Sequence, residues 1–218
     1  CKSVTFLSFA CLGALCSQVY LGMVTIHHSN LHWTVAVHLG NAMVLFALII
    51  ATRNRMAIAS APENKKVKLG KKSHIALWAL LVSTFFTMLL GAMVSTSFSG
   101  GVCGGLFLCH GDIIPEDFQG LLHMKHRIMA LTTLSVAAIF YIFSRFEDDT
   151  YKKTAKGLNI MIWLQALIGI TTLYSFSHYA EFYKAISVFH LAWGTLIIMA
   201  LSGALSKVYF GTGGSFHK

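Results

Sequence analysis

Histidine is the residue type in this sequence that is best suited to chemistry. The chain has 218 residues, with 11 histidines and only 8 aspartates and glutamates. Imidazole binds heme iron, zinc and copper, and it also carries protons. His38, His126 and His190 stand out because each falls inside a long apolar run. An ionisable side chain within a membrane span needs a partner or a ligand, so these three are the first candidates for a functional site.

Six apolar runs position these histidines, at residues 4–26, 32–52, 74–96, 123–143, 158–176 and 185–205. Each run is long enough to cross a hydrocarbon layer of about 30 Å as a helix, and none alternates apolar and polar residues as a membrane strand does. The chain is 56% hydrophobic and 11% charged, whereas a soluble domain carries roughly 25% charged residues. We therefore expect an all-α integral membrane protein with six transmembrane helices.

The distribution of basic residues predicts the orientation of these helices. Of the 17 lysines and arginines, 14 lie in the second and fourth connections or beside the termini. The positive-inside rule then puts both termini on the cytoplasmic or matrix side, in a bacterial cytoplasmic membrane or a mitochondrial inner membrane. Binding of nucleic acid or anionic lipid is the alternative explanation for basic loops. Topology explains them more simply, and we expect no nucleic-acid partner.

The three candidate histidines lie at a similar depth, about one to two turns from the outer ends of their runs. Two inward imidazoles on different helices can bind a heme iron from both sides. Zinc would need four ligands and copper a nearby Cys or Met, and no cluster in the sequence supplies them. We expect a heme between His126 and His190, and a second heme near His38 only if a partner completes that site. Interhelical hydrogen bonding by neutral imidazoles is the alternative.

Two cations and one further histidine flank His126. Lys125 and Arg127 are expected to pair with heme propionates, or else to reach towards the membrane surface. His123 lies one turn before His126 on the same helix face, so it faces either the cofactor or the interface. The interface is the preferred interpretation for His123.

Spacing indicates an internal repeat. A Gln-x3-Gly-x2-Thr pattern occurs at 18–25 and at 165–172, and a His-Leu pair follows at 38–39 and 190–191. Nothing ahead of the first run corresponds to the third and fourth runs. We therefore expect the second half of an N-terminal heme unit at 1–52, a basic inside loop at 53–73, a complete C-terminal four-helix heme unit at 74–208 and a tail at 209–218.

Together these features resemble the heme A synthase family of cytochrome oxidase assembly proteins. The resemblance rests on the Cys103/Cys109 loop after 91–94, on the His126-Arg127 pair and on the repeated pattern. It implies an eight-helix fold of two four-helix halves, of which this chain matches the last six helices. It also implies that His126 and His190 are the axial ligands of a heme b, and that His38 belongs to the half in which heme O is oxidised to heme A.

The family's remaining iron ligand and an acidic residue, in a Glu-x-x-His-Arg pattern, belong to two helices that this sequence does not match. In the C-terminal copy His123 takes the acidic position, so the catalytic residues are unknown. Catalysis would need a longer chain, a partner chain or a second copy to complete the N-terminal half. The alternatives are a non-catalytic heme b subunit for electron transfer or structure in a respiratory complex, or a heme-free interaction subunit.

Cys1 is either a lipidated N-terminus or the site where a longer chain was cut.

The outer loop contains a pair of cysteines, Cys103 and Cys109. They face the oxidising side, and the glycine-rich chain between them permits closure, so we expect a disulfide instead of two free thiols. The resemblance implies that this is the structural pair of the C-terminal half. Cys11 and Cys16 lie inside the first run and are expected to pack as small apolar residues.

Overall fold

The computed structural model describes residues 2–60, 69–176 and 179–211, which form six α-helices and no strand. The helices are α1 (Lys2–His27), α2 (His32–Ala59), α3 (Lys71–Thr96), α4 (Phe118–Ser144), α5 (Asp149–Phe176) and α6 (Ala180–Gly211). All six are long and apolar enough to cross a membrane. The predicted all-α class with six transmembrane helices is confirmed.

The helices are longer than the apolar runs that predict them. α2 continues to Ala59, so residues 53–59 are helical where a loop was expected, and α5 begins at Asp149 instead of residue 158. An apolar run measures the hydrocarbon layer only, whereas helical hydrogen bonding continues into the interfacial layer. Cys1, residues 61–68 of the predicted basic loop and residues 212–218 of the predicted tail lie outside the described residues.

Four helices close a ring in which α3 packs against α4, α4 against α5, α5 against α6 and α6 against α3. Their shared core contains Leu77, Leu80, Phe140, Ile197 and Leu201, each at most 1% exposed. Leucine and isoleucine from antiparallel helices interdigitate in this way in helix bundles. These four helices include the range 74–208 that the sequence assigns to one four-helix unit, and heme binding by this unit stays a prediction.

The first two helices lie outside this ring. α2 packs against α3 and α6, while α1 contacts only α2 among the described helices. The amide of Asn54 on α2 donates to Ser206 Oγ at 2.7 Å and to the Gly203 carbonyl at 3.2 Å on α6. α1 buries only Thr25 and exposes most of its large apolar side chains. α1 is therefore an edge helix, held to the molecule through α2.

The bundle has two chemically different ends. The loop end carries the short α1–α2 turn and the long α3–α4 connection, residues 97–117. At this end Asp117 caps α4 by accepting a hydrogen bond from the Gly120 amide at 2.6 Å. The basic end carries the α4–α5 connection, where Glu147 accepts hydrogen bonds from the Gly70 amide and from Ser73 Oγ. These two contacts tie the start of α3 to the end of α4.

Candidate functional site

The helices form three successive pairs: α1 with α2, α3 with α4 and α5 with α6. In each pair a glycine of the first helix packs against a histidine of the second helix. A Cβ added at the glycine would lie only 3.0–3.3 Å from the histidine Cε1. That distance is shorter than an ordinary van der Waals contact, so a side chain here would displace the ring. The pairs are Gly22 with His38, Gly91 with His126 and Gly169 with His190. All three lie towards the loop end.

The residue one turn before each glycine approaches the same imidazole. The amide nitrogens of Gln18 and Gln165 lie 3.1 Å from His38 Nε2 and 3.3 Å from His190 Nε2. In the middle pair the Thr87 carbonyl lies 3.1 Å from His126 Nδ1. The repeated sequence pattern includes Gln18 and Gln165 but not Thr87, because Thr87 acts through its backbone. The available signal was the four-residue spacing between Thr87 and Gly91, which matches that from Gln18 to Gly22.

Neighbouring hydrogen bonds determine which nitrogen of each ring carries the proton. Asn41 Nδ2 donates to the Ala14 carbonyl at 3.0 Å and to Gln18 Oε1 at 2.7 Å. Since a carbonyl oxygen can only accept, the orientation of both amides follows, and Gln18 donates to His38 Nε2. Nε2 therefore holds a lone pair, and the hydrogen is on Nδ1.

The same protonation pattern holds in the other two pairs. Gln165 Nε2 donates to the backbone carbonyl of His190 at 3.1 Å, which turns its N–H groups towards His190 Nε2. His126 Nδ1 donates to the Thr87 carbonyl, so the neutral ring keeps its lone pair on Nε2. In its neutral form each of the three imidazoles therefore carries its lone pair on Nε2, and at His38 and His190 a glutamine amide donates to this lone pair.

Two of these rings lie on helices of the closed four-helix ring. His126 on α4 and His190 on α6 belong to the closed ring of helices and lie within electrostatic range of each other. His38 lies on α2, outside the ring. Within residues 2–60, 69–176 and 179–211, Nδ1 of His38 and of His190 is buried without a hydrogen-bond partner. In the same residues no three His, Cys, Asp or Glu side chains converge in the manner of a metal-ion site.

Arg127 holds the outer loop. Its Nη1 donates to the carbonyls of Gly105 at 2.5 Å and Leu106 at 3.1 Å, and its Nη2 donates to the carbonyl of Cys103 at 2.9 Å. Its Nε–H and the second Nη2–H make no hydrogen bond within the described part of the chain, so two of the five N–H donors remain for an anionic group. Lys125 is exposed. Pairing of either cation with propionates stays a prediction.

His123 differs from its preferred interpretation as an interface residue. Its side chain is 7% exposed, and its Nδ1 is buried without a partner among the described residues. The 3₁₀ turn Ser99–Gly101 packs against α4 and covers this face. Helical spacing alone did not reveal the burial, because the covering residues belong to the α3–α4 connection.

Cys103 and Cys109 form a disulfide, as the sequence predicts. Both are fully buried and pack with Met124 of α4. The disulfide, Met124 and the Arg127 contacts fasten the α3–α4 connection to the helix that carries His126. Cys11 and Cys16 are free, with Cys16 exposed on α1.

Comparison with known proteins gives one consistent result. The cytochrome oxidase assembly protein family model matches residues 2–202. The heme A synthase of Bacillus pumilus (strain SAFR-032) is 25% identical over 181 residues, which cover 80% of this chain and 59% of that protein. The heme A synthase of Caulobacter vibrioides (strain ATCC 19089 / CIP 103742 / CB 15) is 28% identical over 186 residues, which cover 78% of this chain and 51% of that protein.

A third relative, the heme A synthase of Caulobacter sp. (strain K31), is 31% identical over 153 residues, which cover 62% of this chain and 43% of that protein. The chain therefore spans about half the length of the curated relatives it matches. The matched region includes all the histidine pairs described above. With six membrane-crossing helices and this match, the chain is an integral multi-pass membrane protein that belongs to the cytochrome oxidase assembly protein family.

Proposed function

We propose that this chain is the heme-binding part of a heme A synthase-type protein, with a role in heme A biosynthesis for cytochrome oxidase assembly. His126 and His190 are the axial ligands of a heme b inside the α3–α6 ring. His38 is one ligand of a second site, where heme O is the substrate. Both termini face the cytoplasm or matrix, by the distribution of basic residues.

One observation carries this proposal: two neutral imidazoles on opposite helices of a closed bundle. Both histidines keep a lone pair on Nε2, and they lie within electrostatic range of each other. Bis-imidazole ligation needs this arrangement, since each ring donates one lone pair to the iron. Bound heme supplies one-electron chemistry, and the protein supplies orientation and burial.

The local packing also fits imidazoles that serve as heme ligands. Gly91 and Gly169 let each imidazole lie against the backbone of the preceding helix. Thr87 orients His126 by accepting its Nδ1–H, the kind of contact that sets the tautomer of a metal-ligating histidine. At His190 the Gln165 amide occupies the Nε2 lone pair, so heme binding requires this amide to withdraw.

This chain supplies only half of the second heme site, the half that contains His38. His38 has the same glycine and glutamine neighbours as His190, but its helix pair packs on the outside of the ring. The outer face of α1 exposes Phe9, Leu12, Val19 and Met23. We propose that two further helices, from a longer chain, a partner chain or a second copy, pack there and complete the pocket around His38.

Absorption spectra of the purified chain test the proposal directly. We expect a reduced-minus-oxidised spectrum of a low-spin heme, identified as heme b by the pyridine hemochrome of the extracted pigment. His126→Ala and His190→Ala should each abolish it, because one imidazole alone leaves the iron with an open position. His110→Ala, in the exposed part of the outer loop, is the matched control and should keep the full spectrum.

The extracted pigment also separates the candidate functions. Heme b accompanied by heme O or heme A supports the synthase assignment. Heme b alone, in a chain supplied with the missing helices, favours an electron-transfer or structural subunit of a respiratory complex. A chain that binds no heme, or a normal bis-histidine spectrum in either alanine variant, contradicts the proposal.

A further inference from the structure

A cavity of about 370 Å³ opens at the basic end, between α4 and α5. Tyr141 and four cations line it: Arg145, Lys152, Lys153 and Lys156. Its volume lies in the range of roughly 300–1,000 Å³ that small-molecule sites occupy. Tyr141 is 15 residues from His126 along α4, a distance of about 22 Å along the helix axis. The cavity is therefore separate from the histidine site.

The carboxylates nearest to this cavity are engaged elsewhere. Glu147 accepts hydrogen bonds from the Gly70 amide and from Ser73 Oγ, the latter at 2.6 Å. Asp148 caps α5 by accepting from the Tyr151 amide at 3.0 Å. Asp149 pairs with Lys152 at 3.3 Å on the surface. Only one of the four cavity cations is thereby neutralised.

The other three cations have no counter-charge. The side chains of Arg145, Lys153 and Lys156 make no hydrogen bond or ion pair with any part of the chain that the structure describes. The positive-inside rule accounts for basic residues at this end, but it does not require them to converge on one cavity. Like charges around a shared space repel one another, and a bound anion relieves that repulsion.

We propose that this cavity binds the headgroup phosphate of an anionic phospholipid in the adjacent leaflet. Arginine presents a planar pair of N–H donors that matches phosphate geometry, and the lysines add compact charges. A lipid is favoured over free phosphate because Ile142 and Ile160 expose apolar surface on the same two helices, where acyl chains would lie. Basic pockets between transmembrane helices bind anionic headgroups in this way. The inference does not depend on the proposed heme chemistry.

Native mass spectrometry of the full chain, purified in detergent, tests the proposal. The protein is titrated with phosphatidylglycerol, with phosphatidylcholine and with inorganic phosphate. We expect one tight site for phosphatidylglycerol, no equivalent site for phosphatidylcholine and no competition by millimolar inorganic phosphate. Equal binding of the two lipids, or displacement of the lipid by inorganic phosphate, would overturn the lipid assignment.

Charge-matched variants locate the site. The triple variant Arg145→Gln, Lys153→Gln, Lys156→Gln should weaken phosphatidylglycerol binding roughly 100-fold, at about fivefold per cation. The control triple variant removes the same charge from exposed positions on α1, α2 and α6: Lys2→Gln, Arg53→Gln and Lys207→Gln. It should leave the tight site intact.

A single substitution covers the case in which the triple variant does not fold. Arg145→Gln alone should weaken phosphatidylglycerol binding about fivefold. Equal weakening by the two triple variants would show that the whole basic surface attracts the lipid, and the cavity proposal would then be wrong. An unchanged affinity in Arg145→Gln would also contradict it.

Discussion

At the scale of single residues, three histidines share one environment. Each ring contacts a glycine of the preceding helix and keeps its lone pair on Nε2. The glycine matters because the ring occupies the volume that a Cβ would fill. The glutamine or threonine one turn earlier sets the proton position. Ring placement and proton placement together make these histidines suitable as iron ligands.

Gly169→Ala should therefore impair heme binding at His190. The added Cβ would lie 3.0 Å from Cε1, and overpacking of this kind costs about 1–3 kcal/mol, or roughly 5- to 150-fold in affinity. Heme titration of the heme-free chain, followed by absorption, measures the change. Gly157→Ala on the same helix is the control, because nothing lies within 4 Å of its added Cβ. Equal heme affinity in the two variants would contradict the role of Gly169.

At the scale of elements, two helix pairs repeat the same cross-links. Three residues after the histidine, Asn41 and Trp193 each donate to a carbonyl four residues before the glutamine, at 3.0 and 2.9 Å. The repeat thus extends into packing contacts, although the two donors differ chemically. The outer loop is a separate element, and the guanidinium of Arg127 holds it in place by binding three of its carbonyls.

Arg127→Gln should expose the disulfide to reductants. Loss of these charge-assisted hydrogen bonds lowers the free energy of loop opening by about 1–3 kcal/mol, so reduction of Cys103–Cys109 should become roughly 5- to 150-fold faster. The rate is measured by thiol trapping during treatment with a mild reductant. In the control variant Lys125→Gln, which removes the same charge at an exposed neighbouring position, the disulfide should be reduced at the original rate. If both variants react alike, bulk charge controls access and Arg127 does not clamp the loop.

At the scale of the whole molecule, a closed ring of four helices carries a pair of helices on its outside. The ring buries an apolar core, whereas α1 has large apolar side chains along an exposed face. Membrane helices gain little from apolar contact alone, because lipid is equally apolar. The polar contact from Asn54 to α6 is therefore important for holding α2 against the ring.

Asn54→Leu should loosen α1 and α2 without unfolding the ring. Interhelical hydrogen bonds in membranes contribute about 0.6–2 kcal/mol, so amide hydrogen exchange should accelerate in α2 and α1 by roughly 3- to 30-fold. The α4 and α5 amides act as the internal reference and should not change. Ser206→Ala keeps the bond from Asn54 to the Gly203 carbonyl and should have a smaller effect. Uniform acceleration across all six helices would mean that Asn54 supports global stability instead.

Much of this architecture was predictable from the chain. Apolar run length predicts six helices, because a helix must satisfy its own backbone hydrogen bonds across the hydrocarbon layer. The repeated Gln-x3-Gly pattern with its following histidine predicts that two helix pairs are alike, but it does not predict that the glycine contacts the histidine. The contact between Thr87 and His126 was not predicted, because any residue type can supply a backbone carbonyl. The burial of His123 was not predicted, because the residues that cover it belong to the α3–α4 connection and are distant from it in sequence.

The residues alone thus determined the helix count, the depth of the three histidines and the disulfide pairing, since these depend on local hydrophobicity and short spacing. The tertiary structure decided which helices close the ring, which nitrogens keep their lone pairs and where the free cations meet. These features depend on side chains far apart in the chain, whose contacts exist only after the helices pack. Asn54 with Ser206, and Arg127 with the carbonyls of the outer loop, are two such contacts.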